Sequence, residues 1–197
     1  VSADLNSLRQ EILECKVCQA FLPLGPRPVF RVSSTASILI AGQAPGIRVH
    51  QSGIPWNDPS GERLRRWLDM DKETFYDESR IAIVPMGFCY PGTGVRGDHP
   101  PRPECAPLWR KKLLGHMPAI RLVLAIGAYA QAYHLRPGSK SSLTDQVKAW
   151  RTHFSYGVMP LPNPSPRNQK WFKDRPWFEQ EVVPALQLKV WEVLEAR

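Results

Sequence analysis

Two stiff loops and four cysteines carry most of the chemistry in this sequence. The loop Gly42-Gln-Ala-Pro-Gly46 joins glycines, which let a ligand approach the backbone, to a proline that fixes backbone angles and an amide at Gln43. A second loop, Asn163-Pro-Ser-Pro-Arg-Asn168, sets two amides, a hydroxyl and a guanidinium on a frame stiffened by Pro164 and Pro166. Such loops hold polar groups at set positions against a ligand, although either one alone also reads as a tight turn. The run Gly53-Ile-Pro-Trp56 puts an aromatic ring between Pro55 and Asn57 in a loop, where it suits stacking on a planar ligand better than burial in a core. His50, four residues after Gly46, has an ordinary pKa suited to general-base work or to positioning water, and equally fits a plain surface position.

The cysteines fall as Cys15-x-x-Cys18, then Cys89, then Cys105. Four thiolates at this spacing suit either a structural zinc or an iron–sulfur cluster, and a disulfide framework is not expected in an intracellular enzyme.

The elements that position these groups follow from periodicity and punctuation. Leu5, Leu8, Ile12 and Leu13 give a short helix over 5–14 that delivers the first two thiols, and a proline-rich arm over 23–28 follows it. The apolar run 37–41 reads as a buried strand ending at Gly42, and 81–86 as a second that carries Met86, Gly87 and Phe88 at its end. Between them, Asp58 as N-cap with Pro59 at the first position starts a helix through Leu64, Trp67 and Leu68. A loop rich in Gly and Pro over 90–103 separates Cys89 from Cys105 and leads into an amphipathic helix over 107–116. A third strand over 122–126 ends at Gly127 before a helix near Ala128, a fourth over 159–162 ends at Asn163, and a helix over 177–195 closes the chain. Strands alternating with helices predict a three-layer α/β/α sandwich around a mostly parallel, four-stranded sheet, with ligands at the carboxyl ends of the strands.

A chain of 197 residues, 43% hydrophobic, is expected to fold as one domain spanning 1–197. No apolar stretch approaches the roughly 20 residues needed to cross a bilayer, and no signal sequence opens the chain, so a soluble, cytoplasmic monomer is expected. The start at Val1 reads as a trimmed or processed product. A net charge of +8 favours a polyanionic partner such as nucleic acid. Neither a Walker loop nor a Gly-x-Gly-x-x-Gly fingerprint is present, which disfavours an unrelated nucleotide-binding enzyme.

Taken together and in this order, the loops resemble the two signature motifs of the uracil-DNA glycosylase superfamily. The first is similar to the Gly-Glu-Ala-Pro-Gly motif of its iron–sulfur class, with Gln43 for Glu, and to the Gly-Gln-Asp-Pro-Tyr motif of another class, with Ala44 for Asp. The second resembles His-Pro-Ser-Pro, and its extension through Arg167 and Asn168 is similar to the single-strand-selective monofunctional class. The resemblance implies an enzyme that flips uracil or a related damaged base out of DNA and hydrolyses its N-glycosidic bond. It implies a pocket built from Gly42, Ala44, Pro45 and Gly46, with Trp56 stacked on the base, Gln43 and Asn57 on its edge, and Met86, Gly87 and Phe88 shaping the wall. Asn163, Gln43 and His50 are the implied catalytic residues, and Ser165, Pro166, Arg167 and Asn168 the DNA contacts. Ser165 would meet a phosphate and Arg167 would enter the minor groove. Cys15, Cys18, Cys89 and Cys105 become ligands of a [4Fe-4S] cluster, with structural zinc the alternative. Such a cluster would place Arg96, Arg102, Arg110 and Lys111 near the DNA path. Three positions depart from the family. Asn163 replaces its His, Ala44 cannot activate water, and Pro85 stands where the iron–sulfur class has an Asn. A weakened enzyme and a catalytically silent, DNA-binding or damage-sensing module both follow from these departures.

Overall fold

The computed structural model describes residues 2–95, 97–135 and 141–196. Strands β1 (Ile38–Ala41), β2 (Ile81–Ile83), β5 (Leu122–Ile126) and β6 (Val158–Leu161) form one sheet in the order β2-β1-β5-β6, every pair parallel. Two further strands, β3 (Thr93–Gly94) and β4 (Gly97–Asp98), make a small antiparallel hairpin. The chain visits β2 on one side of β1 and then crosses to β5 on the other, so the sheet has the switch point at which open α/β folds bind ligands.

Strand periodicity of two distributes the apolar side chains to both faces. Ile38, Ile40, Ile81, Ile83, Leu122, Leu124, Met159 and Leu161 enter one core, filled out by Leu64 and Trp67 of helix α3 (Pro59–Trp67) and by Leu186, Val190 and Leu194 of α10 (Val183–Glu195). Leu39 and Ala82 face the other way, onto Leu5, Leu8 and Ile12 of α1 (Ser2–Leu13) and onto Leu113 of α5 (Lys111–Gly115). Two cores on opposite faces of one sheet make the expected three layers.

The second strand ends three residues short of the expected Met86. Its pairing continues beyond Ile83 as a looser extension, with Val84 N donating to Ile40 O, Met86 N to Gly42 O and Gly87 N to Gln43 O. Pro85 falls between two donating positions, where its missing N–H costs no bond. This extension ties the end of β2 to the loop leaving β1. Expected helices at 107–116 and 177–195 begin instead as wider π-turns, Ala106–Arg110 and Phe178–Val182, before settling into α5 and α10. No described helix is long and apolar enough to cross a membrane.

Candidate active site

A cavity of about 390 Å³ opens at the carboxyl ends of the strands. Gly42 through Gly46 after β1, Pro85 after β2, and Asn163, Ser165, Arg167 and Asn168 after β6 all line it. The two motif loops, 121 residues apart at Gly42 and Asn163, thus meet because their strands belong to one parallel sheet.

Trp56 lines the same cavity and adopts φ of 57°, a left-handed conformation uncommon for a bulky residue. Strain of about 1–3 kcal/mol persists only where surroundings impose it, and here they do. Tyr76 Oη donates to Pro55 O at 2.9 Å, and Arg65 Nη1 donates to Trp56 O at 3.3 Å. Gly61, on α3, is approached so closely by Trp56 O that a Cβ there would stand 1.7 Å from it. The indole itself lies against Gly42, where a Cβ would meet Trp56 Cζ2 at 2.9 Å. Two glycines and two donors therefore set the ring in the cavity wall.

Asn163 is half-buried, and its Oδ1 accepts from Ser165 N at 3.0 Å while its backbone carbonyl accepts from Asn168 Nδ2 at 2.8 Å. With Oδ1 engaged, Nδ2 is the end of the amide left to donate into the cavity. Arg63 reaches across from α3 to Ser165 O and to Gln169 Oε1, at 3.4 and 2.8 Å, bracing the second loop. Gln43 Nε2 donates to His99 O at 3.0 Å, which joins the first loop to the base of the β3–β4 hairpin. That hairpin adds Gly97 and Asp98 to the lining, and the N-terminus of α3 adds Asp58 and Ser60. These four carried no motif signal. Asp58 was legible only as an N-cap, which it is, accepting from Gly61 N at 2.8 Å.

Other expected site residues lie elsewhere. His50, on α2 (Ile47–Ser52), is buried, packs beside the Tyr90 ring at 5.9 Å and is absent from the cavity lining. Burial, and then the Arg27 charge, lower its pKa. Helical geometry from Gly46 onward turns it to the face away from the cavity. Asn57 is exposed beyond Trp56, and Pro166 opens the short turn Pro166–Asn168 facing solvent; neither lines the cavity. Met86 and Phe88 are core residues, Phe88 stacking on Phe30 at 5.2 Å. Gly87 packs against Pro101 and borders the cysteine pocket instead.

Cys15, Cys18, Cys89 and Cys105 line that second, mostly apolar pocket together with Ile12, Leu22, Phe88 and Trp109. Phe88 N donates to Cys105 Sγ at 3.4 Å. Burial pushes the Cys89 thiol up to about 11 and the Cys105 thiol up to about 12, and each is raised further by the neighbouring thiols. Among the described residues no three His, Cys, Asp or Glu side chains are gathered closely enough to hold a single metal ion.

Of the basic residues expected near DNA, Arg96 lies outside the described residues and Lys111 is exposed. Arg102 pairs with Glu104 at 2.6 Å. Arg110 is fully buried, and so is not a DNA contact. It donates from Nη1 to Val84 O and Pro85 O, at 2.8 and 3.1 Å, and from Nη2 to His134 Nε2. The histidine must be neutral to accept, and burial followed by the Arg110 charge lowers its pKa to about 3. Arg110 thus holds the carbonyl edge of the strand extension that carries Pro85 to the cavity. Against this geometry stands one comparison: residues 30–187 match the family model of the uracil DNA glycosylase superfamily.

Proposed function

The chain belongs to the uracil DNA glycosylase superfamily, and from that premise we propose that it hydrolyses the N-glycosidic bond of uracil, or of a closely related damaged base, in DNA. The observation that carries this reading is the convergence of both motif loops, the clamped Trp56 ring and the Asn163 amide on one cavity. A base inside a duplex is out of reach, so the substrate nucleotide is extruded into that cavity. Trp56 offers a face for the base to stack on, and Gln43 an amide for its polar edge. As the bond to the sugar breaks, negative charge gathers on the pyrimidine ring, and Asn163 Nδ2 donates to the oxygen where it collects. One such preorganised donor is generally worth about 3 kcal/mol, and by the resemblance the family holds a His at this position. Arg167 and Ser165, at the rim, are placed to meet the phosphate backbone, helped by the net charge of +8.

On the resemblance, the cysteine pocket takes a [4Fe-4S] cluster, with structural zinc the alternative. The apolar wall and the N–H donated to Cys105 Sγ are what thiolate ligands of such a cluster receive. Cys15, Cys18, Cys89 and Cys105 would hold it, and when bound it ties the N-terminal segment to the loop carrying the β3–β4 hairpin.

Incubation with single- and double-stranded uracil oligonucleotides, followed by alkali to break abasic sites, tests the reading. Strand cleavage is expected. No cleavage by this chain, and none after Asn163→His, would leave a DNA-binding module without catalysis.

A further inference from the structure

We propose that Asp98 is the catalytic carboxylate that orients and deprotonates the attacking water, an inference that rests on the glycosidase reading above. Hydrolysis needs a water delivered to the sugar C1′ and a group to take its proton. The first motif loop supplies no carboxylate, since Gln43 is an amide and Ala44 is apolar, and His50 lies outside the cavity. Two carboxylates line the cavity among the described residues, Asp58 and Asp98. They differ in what they already do. Asp58 caps α3, its Oδ1 taken by Gly61 N, and its charge is held by the start of that helix.

Asp98 caps no helix: it is exposed and pairs across the hairpin with Thr93. The hairpin strands β3 and β4 contribute no residue to the hydrophobic cores, so packing does not explain why the loop is drawn over the cavity. Asp98 Oδ1 accepts from Thr93 Oγ1 at 2.6 Å. Because the threonine has one hydroxyl hydrogen and gives it to Asp98, the 2.6 Å contact between Tyr90 Oη and Thr93 Oγ1 runs with the tyrosine as donor. The relay Tyr90 to Thr93 to Asp98 fixes the carboxylate's orientation through one donor at Oδ1. Its other oxygen, Oδ2, turns toward the first motif loop, 3.4 Å from where a Cβ on Gly46 would stand. On the other side Arg167 Nη1 stands 2.7 Å from the Cβ position of Gly97. Asp98 is therefore held between the two motif loops, at the mouth through which a flipped nucleotide enters.

In the step proposed, the water oxygen bonds to C1′ while the bond from C1′ to the base nitrogen breaks. The bonding electron pair leaves with the base, whose charge meets Asn163 Nδ2. The water proton passes to Asp98 Oδ2 and the base leaves as its anion beside an abasic sugar; Asp98 then gives up that proton through solvent and the anion takes one up, which yields the free base and restores the carboxylate.

Single-turnover rates on a uracil oligonucleotide and dissociation constants for the same DNA, measured for the unaltered chain, Asp98→Asn, Asp98→Ala and Asp58→Asn, test the assignment. Asp98→Asn should slow base release by about a hundredfold to ten-thousandfold with DNA affinity unchanged or slightly improved, because a negative charge beside phosphates is removed. Added formate should restore part of the rate to Asp98→Ala, which leaves room for it, and none to Asp98→Asn. A rate for Asp98→Asn within about threefold of the unaltered chain overturns the proposal and leaves the glycosidase reading standing. So does a slow Asp98→Ala that formate cannot rescue and that also binds DNA more weakly, since that pattern marks a structural role. Absence of base release by the unaltered chain sinks both.

Discussion

On the proposed glycosidase reading, the difference between a strong and a weak enzyme comes down to one donor at Asn163. An amide N–H can meet the oxygen of a departing base, but it does so less well than the imidazole found at that position in the family, and ground-state uracil carries little charge for either to feel. Asn163→His should therefore raise the single-turnover rate by tens to about a thousandfold and leave the DNA dissociation constant nearly unchanged. A gain in affinity matching the gain in rate would place Asn163 away from the leaving base. Gly42→Ala makes the opposite point about fit: its Cβ would meet the indole at 2.9 Å and push Trp56 out of the cavity wall. Uracil as free base should then compete less well against the substrate, while the fold survives, because the indole edge has room to move and the backbone does not need to. That Gln43, Asn163 and Trp56 line one cavity agrees with the sequence, where each lies in a motif loop or stiff turn. The place of Asp98 in the cavity lining could not be read there, since it depends on a hairpin whose contacts, through Thr93 and through His99 O to Gln43, are all made after folding.

Among the elements, the sheet was legible because buried strands announce themselves as apolar runs: each of the four strands overlaps its expected run, although β2 stops at Ile83, and the N-cap at Asp58 stands where the sequence puts it. The short helices α2, α4 (Lys72–Tyr76), α7 (Leu143–Lys148), α8 (Trp150–Phe154) and α9 (Gln169–Lys173) were not, for five or six residues span too few turns to show a period. The buried Arg110 was misread as a surface charge for the same kind of reason. Its burial is set by carbonyls of the β2 extension and by His134 on α6 (Gly127–His134), none of them sequence neighbours. That pairing has a consequence for stability. His134 titrates near 6.5 when unfolded and at about 3 when folded, so between those pH values the unfolded chain binds more protons and stability rises with pH. The contribution is complete above about pH 6.5 and is lost as pH falls toward 3. Urea midpoints measured between pH 7 and 4 should fall for the unaltered chain, and fall less steeply for His134→Gln, whose amide oxygen can still accept from Arg110. Equal slopes would place the pH dependence elsewhere. Gly61→Ala should be costlier at every pH, lowering stability by about 1–3 kcal/mol in the same melts, because its Cβ meets backbone that cannot step aside.

For the molecule as a whole, the question is how the N-terminal segment and the loop bearing the hairpin are kept together. Two attachments are available, and they act on different residues. Leu5, Leu8 and Ile12 of α1 share a core with Phe88, Leu113 and Met117, and Asp4 pairs with His116 and Arg9 with Glu78, so α1 stays docked without help from the cysteines. Between Cys15 and Leu24 the anchorage is thinner: Val17, Phe21 and Leu24 are exposed, while Leu22 is buried in the cysteine pocket and Arg102 lies over the Phe21 ring at 4.2 Å. Thiols raised to about 11 and 12 are protonated near neutral pH, so loading a cluster must release protons and bring its own binding energy to the fold. Protein prepared without oxygen should accordingly be brown, with absorbance at about 400 nm, and any one of the four Cys→Ser changes should bleach it. Bleached protein should be cut by trypsin at Lys16 many times faster than loaded protein, whereas the sheet and α1 should keep their circular dichroism. A colourless sample holding one equivalent of zinc would assign the pocket to zinc instead. Cleavage at Lys16 that is equally slow with and without colour would show that apolar packing, and not the cysteines, holds the segment down.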